Sequence, residues 1–164
     1  MLGAMSRYLF ETDEHRALRD QARRWAAREI QPHAHGWEEA EEFPRELYRK
    51  AAEAALLGIG YPESVGGGGG DATHALVAAE EMILAGRSVG TVVGLGSHAI
   101  ALPPIIAHGT DAQRQRFVAP VVAGEKIAAL AITEPRGGSD VASLETRAVE
   151  RAVLDDGHPV ALAG

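Results

Sequence analysis

The segment Leu130-Ala-Ile-Thr-Glu-Pro-Arg-Gly-Gly-Ser-Asp140 closes an apolar run, Ile127 to Ile132, that starts after the polar turn Gly124-Glu125-Lys126. Proline has no backbone donor and a fixed φ, so a strand in this run must stop at Pro135. Gly137 and Gly138 then let the backbone approach a bound group closely, and Ser139 offers a short hydroxyl to a phosphate or carbonyl oxygen. A strand end followed by a glycine pair and a hydroxyl predicts a seat for an anion or a heteroaromatic ring. A bare Pro-Gly-Gly turn capped by Ser139 and Asp140 is the plainer alternative.

Upstream of this run the pattern is helical. Thr12 or Asp13 can cap a helix through Leu18, Ala22, Trp25, Ala26 and Ile30 that ends before Pro32. These apolar positions recur at steps of three and four, and Arg16, Arg19, Arg23, Arg24 and Arg28 read as its solvated face. Pro44 suits the start of a second helix, with Leu47, Ala51, Ala54, Ala55 and Leu57 as its apolar set and Gly58 as its end. Asp71 caps a third, through Leu76, Val77, Ala79, Met82 and Ile83, closed by Gly86. Val89 to His108 reads as a mostly buried helix, bent or broken near Pro103-Pro104, and Thr110 caps another with Phe117, Val118, Val121 and Val122. Strands are expected at Ile127–Ile132, Thr146–Val149 and near Val160–Leu162.

The fold class is therefore mainly α: a helical bundle domain followed by the first strands of a β domain. The expected division is an extension over 1–10, a helical domain over 11–125 and an incomplete β domain over 126–164. Met5 is a second candidate initiator.

Composition narrows the function. At 164 residues, with 46% hydrophobic and 24% charged side chains, the chain can bury a real core and is no disordered tail. A net charge of −7 argues against a nucleic-acid partner, which demands a basic surface. With 0 cysteines, disulfides, thiolate metal sites and a cysteine nucleophile are excluded. The start lacks a secretory apolar core, and a cytoplasmic location is expected. Between Arg87 and Asp111 no formally charged side chain occurs, yet the polar residues, glycines and paired prolines there favour a buried helix over a membrane span.

Two tempting motifs fail on context. The five glycines Gly66–Gly70 lack a following Lys-Ser or Lys-Thr and follow a helix, so they are a turned connection and no phosphate loop. His33 and His35 have no third ligand at metal spacing, and no His-Glu-x-x-His occurs, so no metal is expected.

Leu130 to Asp140 resembles the ITEPGAGSD-type segment of the acyl-CoA dehydrogenase family. Glu14-His-Arg-Ala-Leu-Arg-Asp20 is similar to the family's first helix, and Gly58-Ile-Gly-Tyr-Pro-Glu63 with the glycine tract to its G-x-P-E-x-x-G-G turn. His108-Gly-Thr-Asp-Ala-Gln-Arg114 is similar to its G-[ST]-x-x-Q-[KR] helix start. The likeness spans residues 8 to 149, in order.

The resemblance implies an FAD enzyme that introduces an α,β double bond into acyl-CoA thioesters. A helical domain then precedes a β domain and a C-terminal four-helix bundle. It implies flavin contacts from Leu130, Ala131, Ile132, Thr133, Gly138 and Ser139, with Ser139 also bordering the thioester substrate. The Val92–Leu102 segment would line the acyl-chain cavity. The electron acceptor implied is an electron-transfer flavoprotein, and full-length members are homo-oligomers.

No catalytic residue is assigned here: the family's base is a glutamate far downstream, and Glu134, although inside the motif, does not correspond to it. The later Trp-Ile-Thr flavin contact has no counterpart before Gly164. The chain is thus read as an N-terminal portion inactive alone. The alternatives are an acyl-CoA oxidase or related flavin oxidase of the same fold, and a non-catalytic helical remnant or interaction module.

Two departures stand out. Arg136 replaces a usual glycine, where it could either add a charge-assisted bond to a diphosphate or clash. Asp156-Gly157 arrives about five residues later than the family's hairpin turn, which leaves the end at Gly164 open to truncation, a frame error or a cropped piece.

Overall fold

The fold is taken from a computed structural model, which describes residues 8–147. The chain forms two compact units that divide between Leu130 and Ala131.

The first unit is helical: α1 (Asp13–Glu29), α2 (Ala34–Ala40), α3 (Glu46–Glu53), α4 (Ala72–Gly86), α5 (Val89–Leu95), α6 (His98–His108), α7 (Asp111–Gln113) and α8 (Ala119–Val122). α7 and α8 are joined by a π turn at Arg114–Val118, and a 3-10 turn spans Glu63–Val65. The α1 and α4 boundaries follow the caps read from sequence. Thr12 and Asp71 stand at the two N-caps, and Asp71 accepts hydrogen bonds from the Thr73 and His74 N–H groups. The Asp71 bonds satisfy donors that the first turn of α4 leaves open.

α1 and α4 make the most extensive helix contact. Ala22, Trp25, Ala26 and Ile30 of α1 meet Ala78 and Met82 of α4 in the main core, with Leu47, Ala51 and Leu57 around them. Helix and helix come close at Gly86, where a Cβ would lie 3.0 Å from Ile30 Cγ2. A smaller core gathers Val65, Leu102, Val118, Val121 and Val122.

Several expectations are corrected. Arg19 is not on a solvated face: it is buried, 2.8 Å from Glu11 Oε1, 2.7 Å from Glu80 Oε2 and 3.0 Å from Glu81 Oε1. Arg23 reaches the same Glu81 at 2.9 Å. Burial opposes the Arg19 charge, but Glu80 and Glu11 outweigh it and hold the guanidinium above its ordinary pKa.

The helix after Pro44 ends at Glu53 rather than Gly58, because Ala55 turns left-handed at φ 53°. α2 was not anticipated.

The Val89–His108 stretch breaks at Gly96-Ser97, while Pro103 and Pro104 lie inside α6. Nor is it mostly buried. Ser88, Thr91, Val92, Leu95, His98 and Leu102 form one inward stripe, whereas Val93 and Ile100 are 64% and 65% exposed. By length and composition alone the stretch could cross a membrane, with 28% of it buried. Its inward stripe is joined to the rest of the unit by hydrogen bonds from Ser88 Oγ to Glu38 and between His98 and the Leu57 carbonyl.

No strand forms among the described residues. Ile127–Ile132 has a strand's composition but no partner backbone, and a ladder needs two sides. Thr146 and Arg147 are likewise without a ladder; the remainder of the Thr146–Val149 expectation and all of Val160–Leu162 lie outside the described residues.

The glycine tract is tightly turned. Gly60 N–H donates to Gly69 O at 2.6 Å and Gly68 N–H to Gly58 O at 2.9 Å. A Cβ on Gly67 would come within 2.2 Å of the Tyr61 carbonyl oxygen, so glycine is required by backbone contact there.

The second unit holds a two-residue turn. Glu134 N–H donates to Gly137 O at 2.9 Å and Gly137 N–H returns to Glu134 O at 3.2 Å, with Pro135-Arg136 at its tip. A 3-10 turn follows at Val141–Ser143.

Candidate functional site

In the helical unit, the outward side of the α5–α6 break forms an open apolar groove of about 520 Å³. Ala79 and Ile83 of α4, Val93, Gly96 and Ile100 of the break, and Leu130 line it. The break itself makes the groove. Gly96 adds no side chain, and Ser97 Oγ donates to the Ala128 carbonyl at 3.3 Å, which ties the last residues of the unit to the helix junction. Tyr48 Oη steadies the end of α5 through the Gly94 carbonyl at 2.9 Å. A concave, apolar space of this size is typical of small-molecule sites. Its exposed Val93, Ile100 and Leu130 side chains offer contact surface for hydrocarbon.

Of the site residues read from sequence, Leu130 ends the first unit, and Ala131, Ile132, Thr133, Gly138 and Ser139 lie in the second, on either side of the Pro135-Arg136 turn. The N–H groups of Leu130, Ala131, Ile132 and Thr133 make no hydrogen bond among the described residues. Gly138 stands beside Thr133, since a Cβ there would be 3.6 Å from Thr133 Oγ1. Ser139 is exposed. Backbone donors without a ladder, next to two hydroxyls and a turn open at Gly137, can hold the polar edge of a ring and an anionic oxygen.

Arg136 does not take the positive φ that would demand glycine. Its Nη1 lies 3.6 Å from Glu145 Oε1 with both side chains exposed. Glu134 is occupied: its two oxygens accept the N–H groups of Glu145 at 2.9 Å and Thr146 at 2.8 Å. Those bonds hold its carboxyl below the usual range, which suits an anchor for the following segment and not a proton-accepting base.

One cluster escaped sequence reasoning. His15, Asp71 and His74 bring potential metal-ligand atoms within 4.8 Å of one another, across a separation of 59 residues from His15 to His74. Hydrogen bonds account for most of these atoms. Thr12 N–H reaches His15 Nδ1 at 3.3 Å, His15 Nε2 pairs with Thr73 Oγ1 at 2.9 Å, and His74 Nδ1 pairs with Asp71 Oδ1 at 2.8 Å. The two imidazole rings stack at 4.0 Å, so their in-plane lone pairs run side by side instead of converging. The cluster laces the α1 and α4 N-termini together.

The helical unit carries an open apolar groove, and the second unit a turn lined with backbone donors and hydroxyls. Residues 12–125 match the family described as acyl-CoA dehydrogenase, N-terminal domain. The chain belongs to the acyl-CoA dehydrogenase family.

The short-chain specific acyl-CoA dehydrogenase of Clostridium acetobutylicum is 34% identical over 139 residues, covering 84% of this chain and 36% of that protein. The long-chain specific mitochondrial enzyme of Mus musculus is 37% identical over 138 residues, covering 84% and 31%. A crystal structure of a probable acyl-CoA dehydrogenase from Mycobacterium abscessus superposes with a TM-score of 0.81 at 48% identity, over 87% of this chain and 38% of that one. The chain thus spans about a third of the length of these relatives.

Proposed function

We propose that this chain is the N-terminal portion of an FAD-dependent acyl-CoA dehydrogenase, the enzyme class that introduces an α,β double bond into acyl-CoA thioesters. The observation that carries the reading is the apolar groove of the helical unit, lined by Ile83, Val93, Ile100 and Leu130. Val93, Gly96 and Ile100 would receive the acyl chain, and the apolar lining would exclude water from it. The N–H groups of Ala131, Ile132 and Thr133, unpaired among the described residues, would with Gly138 and Ser139 hold the flavin, and Ser139 would border the thioester. Bound FAD would supply the acceptor for the β hydride. The α proton needs a base, and no carboxylate of this chain is assigned to it.

On this reading the helical domain covers 11–125 and the β domain begins at 126. The electron acceptor is an electron-transfer flavoprotein, and the full-length enzyme is a homo-oligomer. The 164-residue chain alone lacks a complete catalytic set.

Purified chain, assayed with FAD, acyl-CoA and an artificial electron acceptor, is expected to show no turnover while retaining flavin absorbance after gel filtration. Robust turnover would refute the incomplete set. Complete loss of flavin would favour the non-catalytic remnant.

A further inference from the structure

Glu134 draws the second unit back on itself. Its two carboxylate oxygens accept the N–H groups of Glu145 at 2.9 Å and Thr146 at 2.8 Å, 11 and 12 residues further along the chain. Successive N–H groups of an extended strand point to opposite sides, so both reach one carboxylate only where the backbone turns. Adjacent N–H groups converging in this way form a concavity whose backbone dipoles favour a negative charge.

Two small turns lie inside that closure. The first joins Glu134 and Gly137 through the backbone. The second joins Asp140 and Ser143, with Ser143 Oγ donating to Asp140 Oδ2 at 2.6 Å. Gly138 and Ser139 link the two turns and make no backbone hydrogen bond among the described residues. Each turn fixes only its own residues, and a glycine between them leaves the link free to pivot. The bonds from Glu134 to Glu145 and Thr146 tie the far end of the second turn back to the first. Arg136 adds a looser contact, its Nη1 standing 3.6 Å from Glu145 Oε1 with both side chains exposed, where an ion pair contributes little.

The closure needs an ionised carboxylate. Only that form offers acceptor sites on both oxygens, and bonds to a charged acceptor are stronger than neutral ones. Glutamine has the same shape but would turn an NH2 donor toward one of the two N–H groups.

We propose that Glu134 is the positioning residue of this loop: by holding the Glu145 and Thr146 N–H groups, its carboxylate sets where Gly138 and Ser139 stand for a bound cofactor. Glu134 acts through the loop and makes no contact of its own with the cofactor. The identity of that cofactor rests on the flavin reading; the closure does not.

The test compares the 164-residue chain with its Glu134→Gln variant, by NMR and by FAD titration followed by flavin fluorescence. In the unaltered chain, from pH 7 to pH 3.5, the amide signals of Glu145, Thr146, Gly138 and Ser139 should share one titration step. Its midpoint should lie below the ordinary glutamate range. That step should vanish from all four in Glu134→Gln, while the steps of Asp140 and Glu145, the other carboxyls of the loop, remain. Glu134→Gln should also bind FAD about tenfold more weakly, the effect of losing one charge-assisted bond from a preorganised loop, at an unchanged thermal midpoint. Arg136→Ala should keep both the step and the affinity.

A step confined to Glu145 and Thr146, or Gly138 and Ser139 signals unaltered in Glu134→Gln, would overturn the positioning role. So would equal FAD affinity of the two chains. Failure of the unaltered chain to bind FAD would sink the flavin reading alone, and the four amides would then decide the role of Glu134.

Discussion

The α1–α4 pair and the α5–α6 arm are both helical and both apolar on one side, yet they are finished differently. α1 and α4 bury their stripes against each other and close the seam with Arg19, Arg23, Glu80 and Glu81. α5 and α6 bury one stripe and leave Val93 and Ile100 open along a groove. The first arrangement spends its surface on stability; the second keeps surface available for something else to cover. Substitutions in the two regions should therefore separate stability from binding.

Glu81→Ala should have the largest effect. It removes charge-assisted bonds to Arg19 and Arg23, each worth about 1.5–3 kcal/mol, while Glu11 and Glu80 still face Arg19. Urea unfolding followed by circular dichroism measures it, and a loss below about 1 kcal/mol would mean the seam is not the source of stability.

Gly124→Ala should come next, because Gly124 sits at φ 73° and a Cβ would be 2.5 Å from the Tyr48 carbonyl oxygen. The clash and the left-handed backbone together predict a destabilisation of about 1–3 kcal/mol, seen as a lower thermal midpoint.

His98 gives the arm a pH signature. Burial lowers its pKa, against the opposing pull of the Leu57 and Leu95 carbonyls. The folded value then lies below the unfolded one, near 6.5. The stability is complete above about pH 6.5 and is lost as pH falls through the folded value, since the unfolded chain takes up the proton first. Denaturant midpoints measured from pH 7.5 to 4.5 should fall in the unaltered chain, and His98→Gln should flatten that slope.

Val93→Ser should be the mildest in stability, within about 0.5 kcal/mol, because the side chain is largely exposed. Its effect belongs to binding: a long-chain acyl-CoA titrated by calorimetry should bind more weakly to it. Unchanged affinity would detach the groove from the acyl chain.

Much of the helical unit was legible. α1 and α4 announce themselves through three-and-four spacing after recognisable N-caps, Thr12 and Asp71, and α4 ends at Gly86 although Arg87 takes the left-handed C-cap. α2 was not legible. It is seven residues long, contains Gly36, and has no side-chain cap bond at His33. The break at Gly96 was masked by the prolines that follow, which α6 accommodates.

Burial of Arg19 depends on carboxylates 61 and 62 residues away, and the His15–His74 stack on a partner 59 away. Spacing carries no such information. The run Ile127–Ile132 shows the converse: its composition is strand-like, but strand formation also requires a partner that the described residues do not provide. At the turn, the sequence indicated which residues carry polar groups. It did not indicate that Glu134 is engaged by the Glu145 and Thr146 N–H groups.

The most direct test of the central claim is a methyl-resolved NMR titration of the 164-residue chain with a saturated acyl-CoA. The account predicts saturable shifts at Val93, Ile100 and Leu130, with the α1 core methyls of Leu18 and Ile30 unmoved. Shifts spread over α1, or none along the groove, would contradict it.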